Sequence, residues 1–235
     1  PDLAFAEIFK IIAPFHCILS RSETPVTREL IDKAPKLKVI ARAAVGIGNI
    51  DVNYATEKGI LVINTPGKNT NSAAELTIGL LLSAMRKMIP AHIHMSELKW
   101  DRHTFTGTEL LGKTIGIIGL GNVGHLVARY AKAFDMEVLA YDPYVADEVF
   151  ERHNSIKCTW DELISSADVI SLHVPKNTET TGMIGAKEFS RMKSGVVILN
   201  TARGGIIQEK PLLEELKSGR VAAAGIDTWE VEPPK

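Results

Sequence analysis

The chain has 235 residues, 45% of them hydrophobic, enough to bury one large core or a large and a small one. A formal net charge of −1 gives no electrostatic case for nucleic acid or an anionic membrane, and no apolar run approaches the roughly 20 residues that span a bilayer. Cys17 and Cys158 are distant in sequence, and C-x-x-C, H-E-x-x-H and G-x-S-x-G are all absent. The expectation is therefore a cytoplasmic protein with two reduced thiols, no metal site, no signal peptide and no zinc-protease or serine-hydrolase chemistry.

The first 66 residues read as a small separate unit. Cys17–Ser20, Lys38–Ala44 and Ile60–Asn64 are short strands, with a helix over Thr27–Lys33 between the first two. A long helix starts near Ser72, where Ser72-Ala-Ala-Glu75 has the form of a capping box, and joins this unit to the remainder. Residues 67–235 make the larger unit. From Gly112 onward strands are predicted at Thr114–Gly119, Glu137–Tyr141, Ile156–Thr159, Asp168–Val174, Gly195–Asn200 and Ala222–Asp227. Helical patterns fall at Val123–Phe134, Asp161–Ser166, Ala186–Met192 and Pro211–Ser218. This alternation predicts an α/β fold with a doubly wound parallel sheet of Rossmann type.

The segment Lys113–Gly124 carries the chemistry. Ile115, Ile117 and Ile118 suit a buried parallel strand, and Gly119-Leu-Gly-Asn-Val-Gly124 follows it. Val123, Leu126, Val127, Tyr130, Ala131 and Phe134 then recur on one helical face. In a dinucleotide site Gly119 makes the tight turn, Gly121 lets the backbone approach a pyrophosphate, and Gly124 lets the helix pack on the strand. The helix start offers unpaired N–H groups to that pyrophosphate. Asp142, at the end of the next strand, is the expected ribose-binding acid and argues for NAD over NADP, because a carboxylate repels a 2′-phosphate. Ligands of such sheets sit beyond the carboxyl ends of the strands, so Gly119–Gly124, Asp142, His173–Pro175, Thr201–Arg203 and Asp227 form one rim.

At Asn200-Thr-Ala-Arg-Gly-Gly205 and Gly225-Ile-Asp-Thr-Trp-Glu-Val-Glu-Pro233 the sequence resembles the D-isomer-specific 2-hydroxyacid dehydrogenases, nearest their phosphoglycerate-oxidising branch. Asn64-Thr-Pro66, Gly107-Thr-Glu-Leu110 and Leu172-His-Val-Pro175 match as well. The resemblance implies that residues 1–66 are part of an incomplete, flavodoxin-like substrate domain. It implies NAD as cofactor and hydride transfer between nicotinamide and C2 of a D-2-hydroxyacid. Arg203 would bind the substrate carboxylate and polarise the C2 oxygen, as a guanidinium fork is suited to do. Glu232 would orient the catalytic histidine and raise its pKa. Asn122, Val123, Val174, Thr201, Ala202, Arg203 and Asp227 align with cofactor contacts. His173 matches a loop histidine of the family, with no direct proton-transfer role expected.

On the substrate side, Arg21 in Ser20-Arg-Ser22, Arg42, and Val45 with Gly46 on the loop after it align with phosphoglycerate-binding positions. Arg102 aligns with an arginine that a neighbouring subunit contributes. Three arginines suit a phosphate ester better than a plain hydroxyacid. The loop itself departs from the family pattern: Ala44 and Gly48 stand where a glycine and an acid-bearing loop are usual, which bears on the choice of substrate more than on the reaction. A glyoxylate or hydroxypyruvate reductase, and a non-catalytic NAD-sensing corepressor relative, stay open as alternatives. The family's dimerisation implies a homo-oligomer, for which the apolar helix Ala73–Met88 and Ile89–Met95 after it offer a surface. With no initiating Met, and Lys235 following Glu232 closely, the chain is expected to be a piece of a longer enzyme whose catalytic histidine lies outside it.

Overall fold

The computed structural model describes residues 5–21 and 24–234. The chain divides into two compact units, one ending at Asn69 and the other beginning at Thr70.

In the first unit, helix α1 (Phe5–Ile11) precedes strand β1 (Cys17–Ser20), α2 (Arg28–Asp32), β2 (Val39–Arg42), α3 (Val52–Glu57) and β3 (Leu61–Ile63). The strands form a parallel sheet in the order β1-β2-β3, with Cys17 opposite Val39 and Val39 opposite Leu61. Thr27 caps α2 by accepting from Leu30 N–H at 3.3 Å, and Asp51 caps α3 by accepting from Tyr54 N–H at 3.0 Å. Val26, Leu30, Ile31, Ile40 and Ala55 are buried between these elements. Helices α1 and α3, seven and six residues long, are too short for a 3.6-residue period to show in sequence.

The second unit opens with α4 (Thr70–Met85) and α5 (Met88–Ser96). The capping box expected at Ser72 is not formed. The helix has already begun at Thr70, so Ser72 has helical backbone and cannot act as a cap, which needs extended torsions. Glu75 accepts instead from the Asn71 side chain at 3.1 Å. The long apolar helix also breaks earlier than Met88: Lys87 takes a left-handed conformation (φ 51°) between α4 and α5.

Strands β4 (Thr114–Ile118), β5 (Glu137–Tyr141), β6 (Ile156–Lys157), β7 (Val169–Leu172), β8 (Val196–Asn200) and β9 (Val221–Ile226) then alternate with α6 (Gly124–Ala133), α7 (Asp147–Arg152), α8 (Trp160–Ser166), α9 (Ala186–Arg191) and α10 (Glu209–Ser218). All strands are parallel, in the order β6-β5-β4-β7-β8-β9. Successive residues of a strand face opposite sides, and each side here has its own apolar layer. Ile115, Ile117, Val138 and Leu199 pack with Leu81, Val127 and Phe150 of α4, α6 and α7. Ile118, Ile170 and Ile198 pack with Leu163, Phe189 and Leu212 of α8, α9 and α10. Burying each large side chain contributes about 1.5–3 kcal/mol, so the two layers hold the sheet ends that carry the site in fixed register. Among the described residues no helix is long and apolar enough to cross a membrane.

Candidate functional site

The order β5-β4-β7 makes β4 the switch point, where the chain leaves in opposite directions on either side and a crevice opens at the carboxyl ends. The three glycines do different work there. Gly119 has φ 92°, and its N–H donates to the Tyr141 carbonyl at 2.9 Å. A methyl on Gly124 would stand 2.0 Å from the Gly119 carbonyl oxygen, so α6 runs directly against the turn. Around Gly121, by contrast, nothing lies within 4 Å of where a Cβ would project. Val123 stands at the start of the ten-residue α6 and gives it no side-chain cap. Open backbone at an uncapped helix start is a fit for an anion such as a pyrophosphate.

Asp142 lies one residue beyond β5 with both carboxylate oxygens occupied by backbone: Oδ2 accepts from Leu120 N–H and Oδ1 from Tyr144 N–H, each at 2.9 Å. The acid is thereby tied to the glycine turn. A cleft of about 260 Å³ extends from there, with Gly119, Gly121, Asp142 and Tyr144 on one side and Val174 and Thr180 on the other. A larger opening of about 730 Å³ lies at the other end of the sheet, by Lys113, Asp168 and Gly195. Those residues mark the amino ends of strands, where sheets of this kind do not bind ligands, so the smaller cleft is the candidate site.

His173, at the end of β7, lines the cleft and shares a 2.8 Å hydrogen bond between its Nε2 and Ser171 Oγ. Burial of the ring pushes its pKa down to about 4, which keeps it neutral near pH 7. Cys158 is free, and burial pushes its thiol up to about 11, which makes it a poor nucleophile.

The second part of the rim is built on β8 and β9. Asn200 shapes the loop after β8: its amide donates to the Arg203 carbonyl at 2.9 Å and its Oδ1 accepts from Ala202 N–H at 3.1 Å. Thr201 shares a 2.7 Å hydroxyl–hydroxyl bond with the fully buried Thr77 of α4. Asp227 N–H donates to the Asn200 carbonyl at 3.0 Å, which holds the ends of β8 and β9 together. Arg203 is exposed, and Nη1 donates to the Ala202 carbonyl at 2.6 Å. Glu232 accepts from Trp229 N–H at 3.1 Å and so closes its own turn. These two loops touch at Gly204, where a methyl would lie 1.7 Å from the Trp229 carbonyl oxygen. That contact brings the Arg203 and Glu232 segments side by side. Gly204 and Thr77 were not singled out by sequence reading; the paired glycines after Arg203 were the available signal.

The remaining substrate-side residues are distributed as follows. Arg42 is 7% exposed and is a loop clamp: Nε donates to the Gly46 carbonyl at 2.9 Å and Nη1 to the Arg21 carbonyl. It thus holds the exposed Arg21 and the Val45–Gly46 loop in one place, with Asn64 donating to the Val45 carbonyl at 2.7 Å. Ser22, beside Arg21, lies outside the described residues. Arg102 is exposed and belongs to the second unit. Among the described residues no group of three His, Cys, Asp or Glu side chains could hold a metal.

Comparison with known proteins agrees with this geometry. The sequence profile described as "D-isomer specific 2-hydroxyacid dehydrogenase, NAD binding domain" matches residues 78–235. D-3-phosphoglycerate dehydrogenase of Archaeoglobus fulgidus is 49% identical over 228 residues, covering 97% of this chain and 43% of that protein. Hydroxypyruvate reductase of Thermotoga maritima is 46% identical over 228 residues, covering 97% of this chain and 74% of that protein. The crystal structure of D-lactate dehydrogenase from Aquifex aeolicus, complexed with NAD and lactic acid, superposes with a TM-score of 0.84 at 33% identity, covering 97% of this chain and 68% of that one. The chain spans less than half the length of the phosphoglycerate dehydrogenases it matches. It belongs to the D-isomer specific 2-hydroxyacid dehydrogenases, with the family's NAD-binding domain in residues 78–235.

Proposed function

We propose that this chain carries the cofactor side, and part of the substrate side, of an enzyme that moves a hydride between nicotinamide and C2 of a D-2-hydroxyacid, with 3-phosphoglycerate and 3-phosphohydroxypyruvate as the substrate pair. The observation that carries the reading is the packing of Gly204 on Trp229. It brings the loop that carries Arg203 against the turn that carries Glu232, at the same end of the sheet as the glycine turn, which supports reading Arg203 as the carboxylate-binding group and Glu232 as the acid that orients a histidine.

NAD, when bound, supplies the hydride acceptor or donor. Gly119, Gly121, Asn122, Val123 and Gly124 would hold its pyrophosphate, Asp142 and Val174 its adenosine half, and Thr201, Ala202 and Asp227 its nicotinamide half. The Arg203 guanidinium binds the substrate carboxylate and stabilises charge developing on the C2 oxygen. Arg21 presents a cation for the phosphate ester, on a loop that Arg42 fixes. Residues up to Asn69 are read as part of the substrate domain and residues from Thr70 as the cofactor domain.

A second copy of the chain is the proposed partner of α5 and the segment after it. Met88, Ile89, Ile93 and Met95 are about half exposed, Leu98 is 95% exposed and Trp100 77% exposed. Such contiguous apolar exposure is the mark of an association surface. Both cysteines are free, which suits a cytoplasmic location.

The test is NADH oxidation by the full gene product with 3-phosphohydroxypyruvate, hydroxypyruvate and glyoxylate in parallel. Preference for the phosphorylated acid supports the assignment. Preference for hydroxypyruvate, the substrate named for the Thermotoga maritima relative, keeps the reaction and overturns the role of Arg21. No turnover with any 2-oxoacid overturns the enzymatic reading in favour of a cofactor-sensing protein.

A further inference from the structure

The turn after β5 and the loop after β7 meet across the mouth of the 260 Å³ cleft. The Tyr144 hydroxyl donates to the Glu179 carboxylate, and Tyr144 and Glu179 line the same cleft as Asp142. Both ends of this bridge are anchored. Tyr144 N–H is bound by Asp142 at 2.9 Å. The Asn177 side chain accepts from Glu179 N–H and Thr180 N–H, both at 2.9 Å, and Asn177 N–H donates to Thr180 Oγ1 at 2.9 Å. The Tyr144 hydroxyl is pushed above its ordinary pKa, first by its hydrogen bond to Glu179, then by burial and the charge of Glu179, with Asp142 the smallest of the causes.

We propose that Glu179 is a second acid, beside Asp142, that rejects a phosphate on the adenosine ribose, and that the Tyr144 hydroxyl holds it in position. One carboxylate cannot move away to relieve the repulsion, because one of its oxygens is tied to the glycine turn through Leu120 N–H and the other to Tyr144 N–H. The second closes the opposite wall of the same cleft. A phosphate dianion entering there meets negative charge on both sides, whereas a free ribose hydroxyl can donate to either acid. The inference rests on the cleft being the adenosine end of the cofactor site.

The experiment measures dissociation constants of NADH and NADPH for the 235-residue chain by fluorescence titration. Neutralising one carboxylate about 8 Å from a dianion in water is worth about fivefold. Glu179→Gln, whose amide oxygen still accepts from Tyr144, should therefore lower the NADPH-to-NADH ratio of dissociation constants about fivefold. Near 1 M salt, where screening is nearly complete, the variant and the wild type should converge. Tyr144→Phe should lower the ratio by less, since the acid stays but loses its tether. Glu214→Gln, an exposed acid on α10, should leave the ratio unchanged. An unchanged ratio in Glu179→Gln, or an equal fall in Glu214→Gln, overturns the proposal while leaving the cofactor reading intact. Failure of the wild-type chain to bind either dinucleotide overturns both.

Discussion

The two glycines that flank the turn should respond to the same methyl group in opposite ways. A Cβ on Gly121 meets nothing within 4 Å, and the residue does not need positive φ. Replacing it with alanine therefore costs the fold nothing, and restricting the unfolded chain stabilises by about 0.4–1 kcal/mol. For a domain of this size that raises Tm by roughly 1–4 °C. The same methyl fills the space left for the pyrophosphate. Loss of one hydrogen bond to a charged group, about 1.5–3 kcal/mol, weakens NADH binding about 10- to 100-fold. In Gly124→Ala the methyl would stand 2.0 Å from the Gly119 carbonyl, against an ordinary contact beginning at 3.4 Å. Helix α6 must then shift by more than an ångström, and overpacking of that kind costs about 1–3 kcal/mol, a fall of roughly 2–12 °C in Tm. Differential scanning fluorimetry and an NADH titration on each variant separate the cases. If Gly121→Ala binds NADH as tightly as the wild type, the open backbone is not the pyrophosphate seat.

Gly204→Ala places a methyl 1.7 Å from the Trp229 carbonyl and pushes the Arg203 loop from the Glu232 turn; kcat should fall about 100-fold, with the adenosine cleft intact and NADH binding largely kept. A kcat within threefold of wild type would refute that coupling. For His173, the unfolded chain takes up a proton near pH 6.5 that the folded chain refuses until about pH 4. Its contribution, up to about 3 kcal/mol, is complete above pH 6.5 and lost as pH falls to 4, so urea midpoints should drop across that window and by less in His173→Gln. An NMR titration of the His173 ring with a midpoint above 6 would contradict the assignment. Trp100→Glu, on the exposed segment after α5, should shift the protein toward monomer in analytical ultracentrifugation with its fold unchanged by circular dichroism. An unaltered dimer, or a wild type that is already a monomer, would refute that surface.

Much of the cofactor half was legible because its signals are local. Glu137–Tyr141 is legible to the residue as strand β5, since its short apolar run sits between a helix end and the Asp142 turn. The spacing of Gly119, Gly121 and Gly124 predicts a tight turn, open backbone and close helix packing in that order, and the local geometry has φ 92° at Gly119, nothing within 4 Å at Gly121 and a 2.0 Å approach at Gly124. What was missed depends on contacts between distant residues or on very short elements. Helix α7 has only six residues, less than two turns, so no period could announce it. Ser72-Ala-Ala-Glu75 has the letters of a capping box, but the turn at residues 66–69 starts the helix earlier than those letters indicate. The far wall of the cleft, Asn177 to Thr180, is made by side chains binding backbone within a loop, which carries no hydrophobic pattern. The bonds from Arg42 to the Gly46 and Arg21 carbonyls, which clamp the loops that carry Arg21 and Gly46, join residues that sequence spacing does not connect. The packing of Gly204 on Trp229 joins residues 25 positions apart (229 − 204), and sequence spacing alone could not reveal it.

The central claim is that this rim moves a hydride to C2 of a D-2-hydroxyacid. It is tested most directly by incubating the full gene product with 3-phosphohydroxypyruvate and NADH carrying deuterium at both C4 positions of the nicotinamide, then locating the deuterium by NMR. The account predicts a single deuterium at C2 of the D-product, and loss of that product in Arg203→Gln. NADH consumed with no deuterium at C2, or an Arg203→Gln protein that transfers it at the wild-type rate, would contradict it.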